Sequence, residues 1–155
     1  MIEFITAIIL FNLLAFTTNK RLNKNQLLHI WTFTIAFQAI TETYIDFKYH
    51  GYWYFTKGIN WWVLPAFTVL IPPVNIIFIN WYPFKQLLSR QLLYILCWVI
   101  AITLYELITL LPEPWGYFRH NWWRLQYSLL VNPVLLIAVL LYYKWVCKIE
   151  NQAIK

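Results

Sequence analysis

Charge is scarce in this chain. Only 12% of its residues are charged, six of them acidic against twelve Lys and Arg, so long solvated surfaces of the soluble kind are not encoded. Glycine is rarer still: Gly51, Gly58 and Gly116 are the only three, all set among aromatic residues where they permit tight turns. The two cysteines, Cys97 and Cys147, stand apart within or at the end of apolar runs, which implies neither a disulfide framework nor a metal site and leaves them as small buried hydrophobes. Gly-x-Ser-x-Gly, Walker, HExxH and paired-Cys signatures are missing, so no residue is assigned a catalytic role and no cofactor or metal is expected.

What is present is hydrocarbon. At 61% apolar, with charges gathered between long apolar runs, the 155 residues have the pattern of a single polytopic membrane domain. A net charge of +6 does not point to nucleic acid, because no basic stretch stands clear of the apolar runs. The aromatic share of 21% lies mostly at segment ends, where amphipathic rings suit the headgroup level. Glu3 stands where a secretory leader carries basic residues, and the positive charges follow the first apolar run, so a cleaved signal peptide is not expected.

Five spans are read, at about Ile2–Thr17, Leu27–Ile45, Trp61–Trp81, Gln91–Leu111 and Trp122–Trp145. Lys20, Arg21, Lys24, Lys85, Arg90, Lys144, Lys148 and Lys155 fall on one side, eight of the twelve Lys and Arg. The positive-inside bias then puts the N-terminus outside and the C-terminus inside, with Lys48, Lys57, Arg119 and Arg124 in or beside two outer aromatic loops. The expected location is the plasma membrane.

The chain repeats itself. Asn60-Trp61-Trp62-Val63-Leu64 returns sixty-one positions later as Asn121-Trp122-Trp123-Arg124-Leu125, and Pro72 falls on Pro133 at the same offset. Upstream, Tyr54-Phe55 is echoed by Tyr117-Phe118, and Glu42 and Glu106 each close the span that leads into a loop. We read an all-α fold in which residues 26–85 and 86–148 are two copies of a helical hairpin. Residues 1–25 form a leading helix with its cytoplasmic turn, and 149–155 form a tail.

The intramembrane carboxylates are the most informative side chains. An acid inside a span costs roughly 2.5–3.5 kcal/mol on insertion scales, so it faces protein or water and takes a partner. Asp46 follows Glu42 by four, one face of a helix. Glu42, Asp46, Trp53, Tyr54, Glu106, Tyr117 and Arg119 are therefore the residues of an expected outward-facing aromatic–acidic pocket. The alternative is that each Glu pairs with Arg119, Arg124, Lys48 or a Tyr hydroxyl and only sets helix register. The Trp pairs are read as interface anchors. His50 and His120 lack the spacing of a metal site. Pro72, Pro73 with Asn75, and Asn132 with Pro133, mark helix kinks whose freed carbonyls a nearby Asn amide can satisfy.

Tyr52-Trp53-Tyr54-Phe55, Pro73 through Pro83 with Asn80-Trp81-Tyr82-Pro83, Tyr105-Glu106, and Trp123 followed by Tyr127-Ser128 resemble a family of small multi-pass membrane proteins of endospore-forming bacteria with no assigned activity. The resemblance runs from the second span onward and implies a plasma-membrane protein without catalytic residues to carry over. More loosely, Asp46, Gly51-Tyr52-Trp53-Tyr54-Phe55, Gly58 and Leu64-Pro65 are similar to the integral-membrane lycopene cyclase domains. Those domains follow the proline with an acidic pair tied to protonating a polyene; here Ala66-Phe67 stands in its place. The reading is a non-enzymatic binding, scaffold or permeation subunit in contact with membrane lipids, able to self-associate. Its rivals are a lipid or isoprenoid enzyme with a glutamate as acid, and an ion or proton path lined by Glu42, Glu106 and Asn75 or Asn132.

Overall fold

A computed structural model describes residues 1–58 and 61–153. Asn60 of the first repeat and Lys155 of the basic tail lie outside the described residues. The described chain is mostly helical, with five helices. They are α1 (Ile2–Thr18), α2 (Lys24–Glu42), α3 (Val63–Trp81), α4 (Leu88–Thr109) and α5 (Leu125–Ala153). Two short strands, β1 (Tyr52–Tyr54) and β2 (Phe118–His120), pair antiparallel at one end of the bundle. Three helices are long and apolar enough to cross a membrane: α3, α4 and Leu125–Gln152 of α5. Of the other two, α1 is apolar but short at 17 residues, about 26 Å at 1.5 Å per residue. The polar side chains Gln26, His29, Gln38 and Thr41 dilute α2.

Helix α3 is the centre. It is apolar nearly all round, and Ile76, Ile77, Phe78 and Ile79 are all buried, as a helix surrounded by others must be. By contrast α4 and α5 turn Leu92, Leu96, Leu104, Leu130 and Leu141 outward. An apolar surface of that extent is covered by lipid or protein rather than water, which fits a membrane protein.

Hydrocarbon gives no hydrophobic force between helices in a bilayer, so packing and interhelical hydrogen bonds hold such a bundle. Several neighbouring pairs have one. Asn80 caps the α1–α2 turn: its Oδ1 accepts from the Lys20 and Arg21 amides, and its Nδ2 donates to Thr18 O. Asn75 Nδ2 donates to Thr34 Oγ1 of α2 at 3.0 Å. Asn25 and Gln26 donate to Glu150 of α5, and Tyr94 of α4 donates to Phe78 O of α3.

The kink in α3 has a definite mechanism. Ala66–Leu70 form a π-helical turn, which widens the backbone just before the Pro72–Pro73 pair. Proline at 73 denies Val69 O its usual partner. The donor that replaces it is Asn12 of α1, whose Nδ2 reaches Val69 O at 2.7 Å and Ile8 O of its own helix at 2.8 Å. The adjacent Asn75 was the sequence expectation for this role; it serves Thr34 instead. Replacing Asn12 by Leu should cost about 1–2 kcal/mol, since it strands a buried carbonyl. Thermal unfolding in detergent micelles, with the neighbouring Leu13→Ala as a lipid-facing control, checks this.

Candidate functional site

The two aromatic loops meet each other. In the β1–β2 ribbon Tyr52 lies opposite His120, Trp53 opposite Arg119 and Tyr54 opposite Phe118. The second Asn-Trp-Trp copy clamps the turn before β1: Asn121 Nδ2 donates to His50 O and Trp122 Nε1 to Tyr49 O. The Asn121 and Trp123 amides both donate to Gly51 O. Positive φ at His50 and Phe55 brackets β1, a left-handed backbone that bulky residues adopt only when neighbours dictate it. For Phe55 those neighbours are Tyr117, which stacks on its ring at 5.2 Å, and Phe4, edge-on at 5.3 Å. The two Trp pairs diverge in environment. Trp61 is 84% exposed, as an interface anchor is, whereas Trp123 is buried and donates to Ser128 Oγ.

Beneath this ribbon a cavity of about 630 Å³ runs between α2, α3, α4 and α5. That is within the ~300–1,000 Å³ range of small-molecule sites. Its walls are mostly apolar, including Phe37, Val74, Trp98, Ile102, Val131 and Leu135. Polar groups collect toward the ribbon end: Glu42, Tyr52, Tyr54, Glu106, Ser128 and Asn132. From Glu106 to Tyr94, both in the lining, α4 advances twelve residues, or ~18 Å. Toward the other end the lining reaches Trp81, Tyr94 and Val139, beside the packed Phe78 and Leu140.

The glutamates occupy unlike settings. Glu42 is fully buried, and its Oε1 accepts from Gln38 Nε2 at 2.5 Å, Tyr52 Oη at 3.0 Å and Tyr54 Oη at 3.1 Å. Its Oε2 has no hydrogen-bond partner. Glu106 Oε1 accepts from Ser128 Oγ at 2.8 Å and lies 2.9 Å from His120 Nε2. Neither acid is met by Arg119, Arg124 or Lys48. Of the partners that sequence offered, the Tyr hydroxyl is the one found, at Glu42, and the basic side chains are not; two phenols, an amide, a serine and a histidine hold the acids.

Of the residues assigned to one pocket from sequence, Glu42, Tyr54, Glu106 and Tyr117 line the cavity. Asp46, Trp53 and Arg119 do not. Beyond Glu42, α2 opens into a π-helical turn over Thr43–Lys48, in which Asp46 is buried outside the cavity lining. Trp53 points away from the cavity toward the Lys57 ammonium, 4.7 Å from its ring. Arg119 Nη1 donates to Leu110 O and Leu111 O, neutralising the carbonyl end of α4. Asn75 and Asn132 also line the cavity, each one position from a kinking proline or two. The Asn132 Nδ2 is buried without a partner. Among the described residues no three His, Cys, Asp or Glu side chains converge as a metal site would require.

No protein-family model, no curated protein and no solved structure matches this chain. The geometry alone carries the functional argument.

Sequence reasoning did not single out Tyr52 and Ser128 as partners of the acids, nor Trp123, which donates to Ser128. The signal available was the spacing of Ser128 and Asn132, four apart and so on one helix face. Burial, and then the neighbouring Glu42 carboxylate, push the Tyr52 and Tyr54 phenols well above the ordinary tyrosine range. They therefore remain donors to Glu42. In the unfolded chain both phenols titrate near ~10, so this contribution is intact below that pH and lost as pH rises above it. Denaturation midpoints measured across the alkaline range should fall beyond pH ~10, and less steeply in Tyr54→Phe than in the wild type.

Proposed function

We propose that this chain is a five-span plasma-membrane protein, N-terminus outside, that binds an elongated and largely apolar molecule in its interior cavity. Acyl and isoprenoid chains fit that description. The carrying observation is Glu42: a carboxyl with no exposed surface and an unpartnered Oε2, set in the wall of an apolar cavity. A buried polar atom left unsatisfied costs ~1–3 kcal/mol, and a chain retains such an atom where a bound molecule completes it. On this reading the β1–β2 ribbon is the outer lid. The two halves are duplicated hairpins, and the antiparallel pairing of their echoed loops is the arrangement a two-fold axis along the membrane normal generates.

A binding role is favoured over permeation because Glu42, Glu106, Asn75 and Asn132 share a lining that is otherwise largely hydrocarbon and aromatic, which suits an apolar chain better than an ion. One observation favours a second reading, the membrane enzyme. An unpartnered carboxyl oxygen facing an apolar chamber is placed as a general acid toward an alkene or polar bond would be. The loose resemblance to lycopene cyclase domains leads to the same proposal, with Ala66-Phe67 replacing their acidic pair.

The test uses a bilayer-partitioned isoprenoid chain carrying a diazirine. After irradiation of the reconstituted protein, adducts should concentrate on Trp98, Ile102, Val131 and Leu135. Adducts confined to outward positions such as Leu92, Leu96 and Leu104 would sink the binding reading.

A further inference from the structure

The cavity's polar end carries more information than its size. Among the described residues its lining contains two carboxylic side chains, Glu42 and Glu106, and no Lys, Arg or Asp. The nearest base, His120, sits behind Glu106 and is engaged with it at 2.9 Å. An anionic headgroup entering this end would face two acids with no cation to compensate it. Phosphate and carboxylate amphiphiles are thereby disfavoured, although they dominate the surrounding bilayer.

Two groups in the lining await partners. Glu42 Oε2 is one; the Asn132 amide nitrogen is the other. Asn132 lies one helical turn, ~6 Å, beyond Ser128, whose hydroxyl bonds Glu106. It therefore stands between the acidic end and the apolar depth. The Asn132 amide can only donate, so it requires an acceptor lone pair. An ammonium head satisfies a carboxylate but offers no lone pair. A hydrocarbon satisfies neither group.

Resting on the cavity-binding reading above, we infer that the ligand is an uncharged amphiphile with a hydroxyl group at its head, a long-chain or isoprenoid alcohol. Its oxygen sits at the ribbon end among Glu42, Glu106 and Asn132, and its chain runs ~18 Å along α4 toward Tyr94. A hydroxyl is uncharged and both donates and accepts, so it serves an acid and an amide in turn.

The experiment is competition binding on the full chain in nanodiscs. Labelled geranylgeraniol is bound, then displaced by unlabelled geranylgeraniol, octadecanol, geranylgeranoic acid, geranylgeranyl phosphate, geranylgeranylamine and the parent hydrocarbon. The alcohols should compete equally within a few-fold. The acid and phosphate should be weaker by on the order of a hundredfold, the effect of an uncompensated buried charge. The hydrocarbon should lose roughly tenfold, and Asn132→Leu should weaken the alcohol roughly three- to tenfold without changing the hydrocarbon. If the acid, phosphate, amine or hydrocarbon competes as well as the alcohol, the headgroup assignment is overturned while the cavity reading stands. Failure of every member of the series to bind overturns both.

Discussion

Gly116→Ala is expected to destabilise the protein by more than about 3 kcal/mol, the largest effect of any single methyl group in the chain. Gly116 lies where the chain folds back over the end of α4 to start β2. A Cβ there would be driven into Leu111 O, Thr109 O and Leu111 N, all backbone atoms that no rotamer change can move aside. The fold-back is itself hydrogen-bonded, through Gly116 N to Pro112 O and Tyr117 N to Thr109 O. Relieving the clash must therefore lift Tyr117, and with it the stack on Phe55 and the pairing of β2 with β1. Unfolding of purified variant and wild type in the same detergent measures the loss. Gly58→Ala is the control: among the described residues no atom lies within 4 Å of its Cβ, and its φ of +89° leaves only a modest backbone penalty of about 1 kcal/mol.

Glu42→Ala should cost about 2–4 kcal/mol, whereas Glu42→Gln should stay within about 1 kcal/mol of wild type. The alanine variant strands three donors at once, Gln38 Nε2 and the Tyr52 and Tyr54 hydroxyls, and enlarges the cavity. Glutamine keeps the shape and an accepting oxygen for the same donors, and loses only the acid. The pair of substitutions thus separates two roles of one side chain. Under the binding proposal Glu42→Gln still retains ligand. Under the rival, in which Glu42 delivers a proton, the same variant binds but performs no turnover.

Helical character was legible because apolar runs of this length leave few alternatives, and three of the five helices are long and apolar enough to cross a membrane. The echo of Tyr54-Phe55 in Tyr117-Phe118 falls in the two loops that pair as β1 and β2. That these loops form a ribbon was not legible: β1 and β2 are three residues each, too short for an alternating pattern to register. Asn12 shows another limit. Read along the chain it is a lone polar residue in an apolar helix, and nothing local links it to Val69, fifty-seven positions away. Asp46 was grouped with Glu42 from an ideal helical repeat; it is buried but does not line the cavity, and the π-helical turn at Thr43–Lys48 that carries it is not announced by any short sequence motif. That Glu42 and Glu106 take partners was legible from the cost of placing charge in a span, and a Tyr hydroxyl was among those expected. Gln38, Ser128 and His120 were not, because hydroxyls, amides and a neutral imidazole carry no charge pattern to match.

The central claim is that the interior space is occupied by a specific molecule, and native mass spectrometry of protein released gently from its own membrane tests it most directly. Wild type should carry one amphiphile at defined stoichiometry, whether the chain emerges alone or as a homo-oligomer. Ala101→Phe, which places a ring in the cavity wall on α4, should lose that mass while keeping the same subunit number. A wild-type protein released bare, or one whose adduct survives Ala101→Phe unchanged, would contradict the account and leave Glu42 and Glu106 as packing residues.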